Sequence, residues 1–336
     1  MKQTLHPLLV NLAVASLALA ALLLCTAQHG CAALSMFAAM PLVTFNGWTN
    51  CYRLTNDTVE LIAAPAIGGR IMAYRFIGGS NAFEVSPTYA GTVVPFAPPK
   101  QVVYYGGSKL WPAPQNWGWP PNAYWENAPN LATQLSPLRL QMAGQHNPTS
   151  LVQFTRAFAL APTGSLVTLK HQIENVSTAS RSNAIWAINA APRPSTLIAP
   201  VGQSSWMITN NLTVPVGSPW ERTNDIFYTS VLAPTAKLFV ITNKPWCAVL
   251  QSNLLWIMWG DPPPSMKFCT NEAPVEIWYG NDTSGRPFAE MELQGQEEIL
   301  APGAKANYTM YWRLEKTAGA ALSDALATLR ALGFVQ

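Results

Sequence analysis

Glu290 and Glu292 are the carboxylates whose spacing first suggests chemistry. They stand two residues apart in Phe288–Leu293, a run that reads as a strand. Both therefore project from one face, about 7 Å apart along it. Ala289, Met291 and Leu293 take the opposite, apolar face. If the carboxylate face lines a cleft, one Glu could act as a general base. A solvated outer face is the ordinary alternative. His171 lies in Leu166–Glu174, where Val167, Leu169, His171 and Ile173 alternate with Thr168, Lys170 and Gln172. That alternation puts it on the apolar face, where a core histidine with one satisfied hydrogen bond is the default and a proton donor the sharper alternative.

The segment Tyr104–Trp125 carries the second kind of chemistry. It holds Trp111, Trp117, Trp119 and Trp125, four of the thirteen tryptophans, among prolines and glycines. It reads as a long loop, and long loops inside compact domains are usually functional. Rigid indole faces suit the apolar faces of sugar rings, while flanking polar groups fix hydroxyls. The alternative is a small aromatic core that holds the loop down.

The elements around these residues read as short strands. Thirteen runs, from Val59–Ala63 to Asn307–Leu314, are rich in β-branched or aromatic residues and bounded by turn formers. They predict an all-β, large antiparallel sandwich over residues 44–316. In Asn307–Leu314, the residues Tyr308, Met310, Trp312 and Leu314 share the apolar face. The tail 317–336 differs: Leu322, Leu326, Leu329 and Leu332 recur at helical spacing before Gly333, which predicts a short helix packed on the domain. Residues 1–33 read as a signal peptide or an N-terminal anchor, because Gln3 to Tyr52 carries no Asp, Glu, Lys or Arg and Leu8–Leu24 is almost wholly apolar. The expected location is outside the cytoplasm, periplasmic or extracellular, with membrane contact only through that segment if it is uncleaved.

Composition narrows the function classes. In 336 residues there are 20 Lys and Arg and 17 Asp and Glu, 11% in all, against roughly 25% in ordinary chains. Disorder needs more charge and fewer aromatics. The 28 prolines disfavour long helices. A net charge of +3 is no nucleic-acid footprint. No nucleophile elbow, phosphate loop or dinucleotide fingerprint occurs, so no cofactor is expected. Without the leader only His146 and His171 remain, with no Cys-x-x-Cys, so no metal site is expected. Cys51, Cys247 and Cys269 also remain. A Cys247–Cys269 disulfide and three buried thiols are equally compatible with their spacing.

Several stretches resemble the galactose mutarotase-like (aldose 1-epimerase) superfamily. The likeness is to an uncharacterised branch, a domain of unknown function with a Gly-Gly-x-x-Leu-Trp-Pro-Ala-Pro segment. The matching pieces are Asn46–Phe76, GGSKLWPAPQ from Gly106 to Gln115, HQIENVS from His171 to Ser177 with the following IWAI, and Phe288–Leu314. The resemblance implies a β-supersandwich with a sugar-sized cleft and a mono- or oligosaccharide as partner. In that superfamily a Glu deprotonates the anomeric hydroxyl and a His protonates the ring oxygen. Carried over, Glu292 or Glu290 would be the base and His171 the acid. Arg70, Ser108, Lys109, Trp111, Trp117, Trp119 and Trp278 would line the cleft beside Glu290. Ser108 departs from the branch, where a His is expected. Either His171 takes its place, giving an anomer-interconverting enzyme, or the chain is a non-catalytic glycan-binding module. A structural role at the cell envelope is the third expectation.

Overall fold

A computed structural model describes residues 38–336 apart from 224, 232–234 and 283. The expected leader, 1–33, lies outside the described residues. Two antiparallel sheets dominate. The first runs β1 (Leu42–Phe45), β2 (Trp48–Thr55), β3 (Val59–Ala64), β4 (Arg70–Phe76) and β5 (Ser108–Ala113). It continues through β10 (Arg181–Pro192), β20 (Pro287–Gln294), β19 (Val275–Asn281), β16 (Ala236–Ile241), β12 (Ser204–Thr209) and β13 (Leu212–Val214), with β21 (Glu298–Leu300) beside β10. The second runs β14 (Glu221–Arg222), β15 (Ile226–Thr229), β11 (Thr196–Pro200), β17 (Trp246–Gln251) and β18 (Leu254–Gly260). It ends with β22 (Lys305–Lys316), β9 (Val167–Asn175), β8 (Val152–Leu160), β7 (Arg139–Ala143) and β6 (Leu131–Ser136).

Period-two alternation explains how the sheets meet. In β9 the buried set is Val167, Leu169, His171 and Ile173, and in β22 it is Tyr308, Met310, Trp312 and Leu314. Their apolar members pack in one cluster with Leu110, Ala187, Met291, Ile277 and Leu238 of the first sheet. Burying such side chains contributes about 1.5–3 kcal/mol each, which makes this interlayer the main source of stability. The C-terminal helix, α2 (Leu322–Ala331), sets Ala325 and Leu329 against Ile198, Trp246 and Ile257 on the second sheet's other face. Gly333 follows at φ +80°, the left-handed turn that ends such a helix without steric cost.

The Tyr104–Trp125 segment is not the structureless loop its composition suggests. It contains β5 and a short helix, α1 (Ala123–Glu126). Pro112 is tolerated within β5 because β4 pairs with β5 only at Ser108, through Ile71. Beyond that point one edge of β5 has no ladder partner for Pro112 to break. Cys51, Cys247 and Cys269 are free and buried, so the Cys247–Cys269 disulfide is not formed. Burial pushes the Cys269 thiol up to about 12.

Candidate active site

Strand register assembles the site on the first sheet's outer face. Lys109 pairs with Ile188, Ile188 with Glu292, and Glu292 with Glu276. One row along, Ala190 pairs with Glu290, Glu290 with Trp278, and Trp278 with Lys237. Trp111 pairs with Trp186 beside them. All these side chains share one face because each is an even number of residues from its neighbour on the same strand. Of them Lys109, Trp111, Trp186, Lys237, Trp278, Glu290 and Glu292 line a cleft of about 300 Å³ that Tyr104, Gln115, Trp119, Asn281 and Phe288 complete. That volume lies at the small end of ligand pockets, about 300–1,000 Å³.

Two similar groups form its floor. In one, the Lys109 ammonium lies 3.7 Å from the centre of the Trp111 ring, 3.5 Å from Glu290 and 3.7 Å from Glu126. Trp111 Nε1 donates to Glu126 Oε2 at 2.9 Å. In the other, the Lys237 ammonium lies 4.4 Å from the centre of the Trp186 ring, 2.8 Å from Glu292 and 2.5 Å from Glu276. Trp186 Nε1 donates to Glu292 Oε2 at 2.8 Å. Each ammonium is thus held between two carboxylates and against an indole whose N–H bonds one of them. Cation–π contact of this kind contributes about 0.5–2 kcal/mol.

Burial dominates the titration of the Lys237 group. Burial raises the Glu292 carboxyl above the usual range and raises Glu276 well above it, with Lys237 opposing the rise in both. Burial works against the Lys237 charge, but Glu276 and Glu292 outweigh it and raise its pKa. One ammonium facing two buried carboxylates is most stable when one carboxyl keeps a proton, since two like charges cannot both be offset by one cation.

Lys109, Trp111, Trp119, Trp278, Glu290 and Glu292 line the cleft, and the structure brings them together. Trp278 lies across Gly280, where an added Cβ would come within 2.6 Å of the indole. The other four expected residues stand elsewhere. Arg70 is buried beneath the cleft, where its guanidinium donates to Glu126 Oε1 at 2.5 Å and to the Gly106 carbonyl at 3.0 Å. It supports Glu126 and lines the small cavity past Tyr104, outside the cleft itself. Trp117 lies behind Trp111 at 5.4 Å and bonds the Pro112 carbonyl. Ser108 projects from the opposite face of β5 into the interlayer, where Arg156 Nη2 donates to its Oγ at 2.9 Å. A histidine at that position would face the interlayer too, so the departure at Ser108 has no bearing on the cleft.

His171 sits on the second sheet, fully buried, and neither ring nitrogen bonds a described residue. Burial, then the nearby Arg156, pushes it well below its ordinary value, so it is neutral. The Glu–His arrangement carried over from the resemblance is therefore not assembled. Among the described residues no histidine lines the cleft, and no group of three His, Cys, Asp or Glu could hold a metal ion.

Sequence reasoning missed Lys237, Trp186, Glu276 and Glu126. Alternation in Val275–Tyr279 could have found Glu276, which shares a face with Trp278 while Val275, Ile277 and Tyr279 take the other. Glu126 carried no signal, since it reaches the site from α1 only through the tertiary fold.

Comparison with known proteins places this geometry on a familiar scaffold. The Slr1438 protein from Synechocystis sp. PCC 6803 superposes with a TM-score of 0.57 at 12% identity, covering 82% of this chain and 100% of that one. A galactose mutarotase-like protein from Lactobacillus casei ATCC 334 gives 0.56 at 10% identity, covering 79% and 100%. A galactose mutarotase related enzyme from Lactobacillus acidophilus gives 0.54 at 10% identity, covering 81% and 100%. At such identities the likeness shows the fold alone. No curated protein is similar enough in sequence to count as a relative. A family model described as a domain of unknown function, DUF4380, matches residues 50–315. The chain belongs to the DUF4380 family, and its fold is that of the galactose mutarotase-like proteins.

Proposed function

We propose that this protein binds a saccharide unit in the outer-face cleft. One observation carries the reading: on a mutarotase-like fold, two lysine–carboxylate–indole groups converge on a single sugar-sized cleft. A pyranose ring has an apolar face and a rim of hydroxyls. Trp119 and Trp278 offer ring faces, while Glu290 and Lys109 offer an acceptor and a donor at the rim. The charge-free stretch from Gln3 to Tyr52 supports export of the chain.

Calorimetry against a panel of hexoses tests the binding. Trp119 is 53% exposed, so Trp119→Ala should leave the melting temperature unchanged. It should weaken binding about 5- to 30-fold, the loss of roughly 1–2 kcal/mol of ring contact. If no mono- or oligosaccharide binds the wild type, the reading is wrong.

The raised carboxyl at Glu292 favours a second reading on the same cleft, interconversion of sugar anomers. A carboxyl that burial makes hold its proton more tightly is placed to donate one, while Glu290 accepts one from the anomeric hydroxyl. Exchange NMR of a pure anomer measures this. Equal rates for wild type and Glu292→Gln would remove the catalytic reading and leave the binding one standing.

A further inference from the structure

We infer that the cleft selects neutral or basic saccharides and rejects acidic ones, an inference that rests on the saccharide reading above. Among the described residues, every cation around the cleft already faces carboxylates. Lys109 has Glu126 and Glu290, and Lys237 has Glu276 and Glu292. Arg70, beneath them, is taken by Glu126. In the small cavity that continues the cleft past Tyr104, Arg286 is paired with Glu84 and Asp282. These four cations face six carboxyl groups, two of which share a proton beside Lys237.

A hexuronate or a sugar phosphate would lose its hydration on entering. It would find no uncompensated ammonium or guanidinium in return, and that loss is large for an ion. It would also approach Glu290, which lines both the cleft and its continuation. A hydroxyl meets the opposite situation, because it carries no charge to desolvate and can donate to Glu290. A protonated amino group gains Glu290 as a partner and the open face of Trp278 as a neighbour, both of which attract a cation.

Calorimetry with matched sets of probes tests the selection. Each set is one hexose, its 2-amino derivative and its 6-carboxyl derivative, in the gluco, galacto and manno series. In a series that binds, the hexose and hexosamine should bind and the hexuronate should be about tenfold weaker or more, as expected for a carboxylate brought near another in a partly dry site. Glu290→Gln should narrow that ratio severalfold while the protein melts as the wild type does. Hexuronate binding as tight as hexose would overturn the selection and leave the saccharide reading intact. An unchanged ratio in Glu290→Gln would also overturn it, since Glu290 would not then be the group that repels. Failure of every probe would overturn both.

Discussion

The Lys109 and Lys237 groups use the same three parts and have different neighbours behind them. Each has an ammonium between two glutamates and over an indole. The Lys109 group has Arg70 behind it, bonded to Glu126, so two cations face two carboxylates. Among the described residues no arginine pairs with the Lys237 group, and one cation faces two carboxyl groups. Its carboxyls are raised as a result of burial that one ammonium cannot offset. The lesson is that a buried Lys–Glu pattern does not fix its own charge state. Burial and every charge packed around it enter too.

The largest expected effect is a contrast between two substitutions. Glu126→Gln leaves Arg70 buried with no carboxylate, which should cost about 3–5 kcal/mol in chemical denaturation. Glu276→Gln replaces a carboxyl that readily holds a proton, and should cost only about 1 kcal/mol. Equal costs would erase the asymmetry. Gly280→Ala comes next, because its methyl would press on Trp278, which stands in register between Lys237 of one group and Glu290 of the other. It should cost about 1–3 kcal/mol by overpacking and shift tryptophan fluorescence. An unshifted spectrum would mean that Trp278 does not rest on Gly280.

A smaller effect appears in the pH dependence. Glu276 and Glu292 bind a proton more tightly folded than unfolded. Their contribution is therefore full below the unfolded glutamate value, about 4.3, and is lost as pH rises through the raised folded value. A carboxyl that holds its proton tenfold more tightly in the folded chain contributes about 1.4 kcal/mol in this way. Glu276→Gln should flatten this decline, since Lys237 then has one carboxylate to itself. A wild-type profile that rises over the same range would contradict the shared proton. The smallest effect belongs to His171→Leu, a swap of similar volume in the interlayer that should change stability by less than about 1.5 kcal/mol. It should leave sugar binding untouched, and a weakened affinity would place His171 in the site after all.

Much of the fold was legible in the residues. The alternation in β9, β20 and β22 assigned faces to His171, Glu290, Glu292 and Trp312 that the structure keeps. The strand β5 was hidden because Pro112 and the preceding glycines resemble loop chemistry, and only the free edge beside β4 makes that proline harmless. The site was legible by halves. Glu290, Glu292, Lys109 and three of the expected indoles meet in the cleft, whereas Arg70 and Trp117 lie behind it and Ser108 and His171 belong to the interlayer.

The scarcity of charge, the period of two and the terminal leucines determined an all-β chain with one packed helix, because those are local patterns that any copy of the sequence carries. Which lysine meets which glutamate was decided only by the order β5-β10-β20-β19-β16. Lys109 and Glu290 are 181 positions apart in the sequence, and Lys237 and Glu292 are 55 apart. Their encounter, and the raised carboxyls beside Lys237, depend on strand register, and Arg70 stands behind Glu126 only in the folded chain. Charge states in a buried cluster follow from every neighbour at once, and neighbours at that distance exist only in the folded sheet.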